Sequence, residues 1–190
     1  ADVDHMVSTV TVKTTDGIAR DYFFPFTLRW DEKSSAAMRP FALAKVRRGP
    51  HMGMLFDAAN DDGFVRTIIE HLRAGRTVQV RGGELRFHPG AALPAQADEE
   101  PIRVIGAEQS NAAAAVGDSV LLKFYRRVET GGHPEIEMGR YLTQTVGFAH
   151  TPRFMGHVEF AGDDGRIRVL AGAFEYVNNQ GDAWQDVTDA

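Results

Sequence analysis

The chain has 190 residues, 43% hydrophobic and 25% charged, with a net charge of −5 and no cysteine. That composition suits a globular chain with a real core. It argues against a nucleic-acid binder driven by phosphate neutralisation, and it excludes disulfides, thiolate metal sites and a cysteine nucleophile. No apolar run approaches the ~20 residues that span a bilayer. The N-terminal ADVDHMVSTV lacks the basic start and apolar block of a secretory signal. The expectation is a cytoplasmic protein with no membrane and no nucleic-acid partner.

In chain order, VSTVTVKT alternates apolar and polar residues, as does IARDYFFPFTLRW more loosely, and Asp16-Gly17 between them marks a hairpin. FALAKVRRG and MGMLFDA read as further strands joined at Gly49-Pro50. DDGFVRTIIEHLRAGR reads as a helix. Asp61 or Asp62 can cap it, Phe64, Val65, Ile68, Ile69 and Leu72 share one face, and Gly75 ends it. GGELRFHP is one more strand. Residues 91–101, AALPAQADEEP, lack any hydrophobic period and are expected to be a linker or loop between residues 1–90 and 102–190.

The second half opens with IRVIGAEQSNAAAAVGDSVLLKFYRR, three short strands with tight turns. HPEIEMGRYLTQTVG is a helix, with Pro134 in its first turn and Gly147 at its end. RFMGHVEF and IRVLAGAFEYV are strands joined by a Gly-Asp-Asp-Gly turn at 162–165. The fold class expected is α+β, in two units of antiparallel sheet plus helix.

Lys123 is the anomaly in this pattern. In strand 119–125, Val120, Leu122 and Phe124 point one way, while Leu121, Lys123 and Tyr125 point the other. An ammonium on a sheet face needs a partner. In helix 134–145 the expected apolar stripe is Met138, Tyr141, Leu142 and Thr145. Glu137 borders it, so a Lys123–Glu137 pair is expected. Two meanings stay open on pattern alone. One is a structural salt bridge, or a lysine stem lying flat with its head in water. The other is the lysine–glutamate pair of a kinase N-lobe, which holds the lysine against nucleotide phosphates.

The run EQSNAAAAVGDSVLLKFYRRVETGGHPEIEMGRYL, followed by FEYVNNQGDAW, closely resembles bacterial maltokinases. The strand L-K-x-x-R-R, the helix start P-E-I-E-M-G-R and the block N-x-Q-G-D-A-W recur together in that family. The segments YFFPFTLRW, ALAKVRRG, GMLFDA and AGRTV resemble the family's N-terminal cap. Maltokinases make maltose 1-phosphate from maltose and ATP and often accompany trehalose synthase. The resemblance implies a cap over 1–90 and a kinase N-lobe-like nucleotide-binding unit over 102–190. It implies that Lys123 contacts the α- and β-phosphates of ATP and that Glu137 pairs with Lys123. Ser110 and Asn111 would lie in the turn over the phosphates, and the main chain of Glu175 and Val177 would bond the adenine. Gln180–Trp184 matches the block after the hinge.

In that family the catalytic carboxylate and the Mg2+ ligands come from an H-G-D-x-H-x-x-N loop and a D-F-E-type motif in a C-terminal helical lobe. These 190 residues contain neither. The expectation is therefore the ATP-binding and cap part of a sugar kinase of trehalose and glycogen metabolism, inactive alone. No catalytic residue is expected in this chain, and Mg2+ would be held through the other lobe. Expected partners are that lobe or trehalose synthase, with maltose or another hexose such as glucosamine as the sugar. The alternative is a non-catalytic module of kinase N-lobe shape that docks on a trehalose synthase or kinase partner.

Seven histidines are present, but no pair has the i, i+4 spacing of a metal-binding helix, so no metal site is expected. Tyr22, Phe23, Phe24, Phe26 and Trp30 crowd one strand with apolar residues on both faces. One face is expected to pack inward and the other to offer a partner surface.

Overall fold

The computed structural model describes residues 3–30, 41–91, 93–95, 100–105 and 111–178. Among the described residues the strands form two antiparallel sheets, accompanied by two α-helices, so the class is α+β. The first sheet starts with the hairpin of β1 (Val3–Lys13) and β2 (Ala19–Trp30), turned at Asp16-Gly17 where Gly17 takes φ 81°. The strands β3 (Ala42–Arg48) and β4 (His51–Asp57) follow, giving the order β1-β2-β4-β3. A two-residue strand, β10 (Arg127–Val128), pairs with the other edge of β2.

The second sheet contains β5 (Thr77–Val80), β6 (Gly83–Pro89), β7 (Ile102–Ile105), β8 (Asn111–Val116), β9 (Val120–Tyr125), β11 (Phe154–Gly162) and β12 (Ile167–Glu175). Their spatial order is β5-β6-β11-β12-β9-β8-β7. The break expected at 91–101 thus does not separate two sheets. Strands β5 and β6 precede it, yet β6 pairs with β11 over seven positions. The main chain of Gly90 and Ala91 stays tied to Met155 and Phe154.

Helix α1 (Asp62–Ala74) begins where Asp61 accepts from the Gly63 and Phe64 N–H groups, and ends at Gly75 in the left-handed conformation. The buried Asp61 also holds Arg29 of β2 at 2.6 Å, so the cap ties the helix to the first sheet. Phe64, Val65, Ile68, Ile69 and Leu72 are buried, as their spacing predicts. They join Phe23 of β2, Leu85 and Phe87 of β6, Leu122 and Phe124 of β9 and Leu170 of β12 in one core. Helix α2 (Pro134–Arg140) packs with a smaller cluster of Tyr125, Ile136, Phe154, Val169 and Phe174. In β9 the two clusters take alternate residues, Phe124 and Tyr125, so α1 and α2 lie against opposite faces of the second sheet. Among the described residues no helix is long and apolar enough to cross a membrane.

Candidate functional site

Strand β9 alternates as its sequence dictates. Val120, Leu122 and Phe124 are fully buried on the α1 face. Leu121, Lys123 and Tyr125 turn to the α2 face, where Lys123 sits opposite Ala113 of β8 and Gly172 of β12. Small neighbours leave room around the ammonium. A Cβ on Gly172 would stand 2.6 Å from Ile136 Cδ1 and 2.7 Å from the Tyr125 hydroxyl, so glycine lets helix and tyrosine close over the strand.

The partner of Lys123 is Glu135. Its Nζ donates to Glu135 Oε1 at 2.7 Å, while the Tyr125 hydroxyl donates to Glu135 Oε2 at 3.0 Å. One carboxylate thus bridges an ammonium and a phenol. Glu137, the partner expected from the sequence, is exposed, and its carboxylate lies over Gly132. The cause is helix phase. The residues of α2 that meet the sheet are Ile136 and Gly139, not Met138 and Tyr141, which are 57% and 55% exposed. A Cβ on Gly139 would stand 3.0 Å from Phe174 Cε1, so this glycine sets the close approach. At about 100° per residue, Glu135 is roughly 40° from Gly139 while Glu137 is about 200° from Glu135. After Arg140 the helix widens into a π-turn over Tyr141–Val146, and Gly147 at its end donates its N–H to the Leu142 carbonyl five residues back. Such turns concentrate at functional sites.

Between the sheet and α2 lies a cleft of about 240 Å³, lined by Leu121, Lys123, Glu135, Met138, Gly139, Leu142, Thr151, Pro152 and Phe174. Lys123 is a quarter exposed to it, and its ammonium stands 6.0 Å from the centre of the Phe174 ring. Of its three N–H donors, Glu135 takes one. Burial, then the Glu135 charge, pushes the Tyr125 phenol well above its ordinary range, so it stays a hydrogen-bond donor. His133 stacks on Tyr125 with ring centres 3.7 Å apart, and burial holds its pKa below the usual imidazole value.

The other residues singled out in the sequence fall as follows. Asn111 begins β8 opposite Tyr125, one strand over from Lys123 and two positions along, on the same sheet face. At the end of β12, Glu175 gives its N–H to the Arg153 carbonyl, and Tyr176 gives its N–H to the Ser119 carbonyl. Val177 follows, 54% exposed. Ser110 and the block Gln180–Trp184 lie outside the described residues. Sequence reasoning missed Glu135, Tyr125 and His133. The signal for Glu135 was present: with Pro134 starting the helix and Ile136 as its buried anchor, the flanking residue Glu135 was an equal candidate.

No family model matches the sequence. Among solved structures the chain is similar to a glucosamine kinase in complex with glucosamine, ADP and inorganic phosphate. Identity is 16% and the TM-score 0.52, over 100% of this chain and 39% of that one. A glucosamine kinase in crystal form A matches at 18% identity and TM-score 0.53, over 96% of this chain and 35% of that one. The chain therefore has a kinase-like fold and spans less than two-fifths of the length of either neighbour.

Proposed function

We propose that this chain is the nucleotide-binding and cap part of an ATP-dependent sugar kinase, with Lys123 as the phosphate contact and Glu135 as its positioning carboxylate. The observation that carries the reading is the 2.7 Å Lys123–Glu135 pair in the wall of a cleft between the second sheet and α2. A lysine anchored through one N–H keeps the others for phosphate oxygens. Chain order supports the same reading: the hairpin β7–β8, the lysine strand β9, α2, then β11, β12 and residues 175–177. That is the order of a kinase N-lobe. The N–H of Glu175 is engaged with Arg153, so its share in bonding adenine would be its carbonyl, with Val177 supplying an N–H. Asn111 and Ser110 would lie by the phosphates.

Mg2+ does not belong to this cleft. The one carboxylate among its described lining residues, Glu135, already holds Lys123 and Tyr125. Metal and catalytic carboxylate would come from a helical lobe, for which the exposed Met138, Tyr141, Val146, Phe148 and Val177 offer an apolar seat. The sugar would be maltose on the motif resemblance; the neighbours instead act on glucosamine.

The alternative, a non-catalytic module docking on trehalose synthase or a kinase, draws on a different surface. Val10, Val12, Tyr22, Phe24 and Phe26 line an open apolar hollow of about 430 Å³ on the first sheet. Calorimetric titration with MgADP separates the two. The expected result is weak binding, because one wall of the nucleotide site is present, reduced about tenfold or more in Lys123→Met by loss of a charged hydrogen bond. Equal affinity of the two proteins, or no binding by either, would favour the docking module.

A further inference from the structure

Spacing along the chain pairs no two histidines on a helix, but strand register pairs two across a sheet. His88 of β6 stands directly opposite His157 of β11, and Glu159 lies two residues further along β11 on the same face. The two rings stack with centres 4.6 Å apart and planes 13° from parallel. Both Nε2 atoms approach the same carboxylate, at 3.0 Å for His88 and 3.7 Å for His157.

We propose that His88, His157 and Glu159 form a cross-strand site for a divalent transition metal, best matched by Zn2+. The donor atoms all lie within 4.8 Å of one another. Ligands about 2.0–2.2 Å from a tetrahedral zinc stand roughly 3.3 Å apart, a value bracketed by the two nitrogen–oxygen separations here. Two imidazoles and one carboxylate are a donor set zinc accepts, with a fourth position left for water. The site is polar but unsatisfied as it stands. His88 Nε2, though 3.0 Å from Glu159 Oε1, is not directed at it and makes no hydrogen bond among the described residues. His157 Nδ1 is likewise buried without a hydrogen-bond partner, and the His157 side chain is 10% exposed.

An ion would draw the stacked rings into a fan, and His88, 44% exposed, is the one free to turn. Arg86, 3.5 Å from Glu159, would swing away while keeping its 2.7 Å bond to Glu84. The bound metal would staple the β5–β6 extension onto β11.

The test uses the full chain, freed of metal with a chelator and titrated with Co2+ and then Zn2+. Visible ligand-field bands should appear with Co2+ and vanish on displacement by Zn2+. Zn2+ at about 100 times its dissociation constant should raise the Tm by about 5–10 °C. His88→Gln and Glu159→Gln should each weaken binding by about 100-fold or more and remove both signals. His150→Ala, at an exposed histidine of another segment, should leave them intact. Absence of the Co2+ bands, or a Tm rise that persists in folded His88→Gln, would overturn the proposal.

Discussion

Replacing Phe124 by alanine should lower the unfolding free energy by about 3–5 kcal/mol, read as a lower urea midpoint at unchanged slope. The ring is fully buried between α1 and the second sheet, 5.8 Å from the Phe64 ring. Its cross-strand neighbours on both sides are alanines, Ala112 on β8 and Ala171 on β12. Phe124 therefore fills space that the flanking strands leave, and the alanines across the ladder on either side are too short to reach into the vacancy. That places the cost toward the upper part of the range for such truncations. The effect also reaches the site, because Phe124 and Lys123 are adjacent on β9 and one fixes the face the other presents. Leu43→Ala makes a useful contrast. Leu43 is 50% exposed on β3, and its loss should stay within about 0.5 kcal/mol.

The second large effect separates two glutamates two residues apart. Glu135→Ala should cost about 2–4 kcal/mol of stability, whereas Glu137→Ala should cost under about 0.5 kcal/mol. Most of the Glu135 cost comes from Tyr125, whose hydroxyl lies on a residue 1% exposed and would lose its acceptor. The ion pair with Lys123 adds less, because both side chains are partly in water, 26% and 36% exposed. The same variant should weaken MgADP binding by freeing the ammonium to leave the cleft. Tyr125→Phe distinguishes the two roles. It removes the buried hydroxyl while leaving the Lys123–Glu135 contact, so it should relieve much of the stability loss of Glu135→Ala and spare nucleotide affinity. Equal effects at Glu135 and Glu137 would mean that α2 does not turn Glu135 toward β9.

These two cases also show what a sequence can and cannot disclose. The alternation of β9 and the apolar face of α1 were legible because each is a local periodicity with one buried side. So were the Asp16-Gly17 turn and the cap at Asp61 or Asp62, which depend on residues within a few positions, and the structure selects Asp61. The partner of Lys123 was not settled by such rules. A seven-residue helix offers few apolar positions, and Met138 and Tyr141 look like a core stripe although both are exposed. Only the contacts of Ile136 and Gly139 with the sheet fix the rotation. The pairing of β6 with β11 was hidden for another reason. It joins segments some 70 residues apart, and no local signal specifies a long-range register. The His88–His157 cluster rests on that same register. The Ala- and Pro-rich stretch at 91–101 reads as a boundary because it lacks periodicity, yet β6 before it and β7 after it belong to one sheet.

Whether Lys123 faces bound nucleotide is open to direct measurement, for the chain holds four lysines: Lys13, Lys33, Lys45 and Lys123. Labelling with an amine-reactive reagent, read by peptide mass spectrometry with and without MgADP, reports on each separately. MgADP should slow modification of Lys123 while the exposed Lys13 and Lys45 react as before. Labelling of Lys123 at the same rate at saturating MgADP would mean that no nucleotide lies against it.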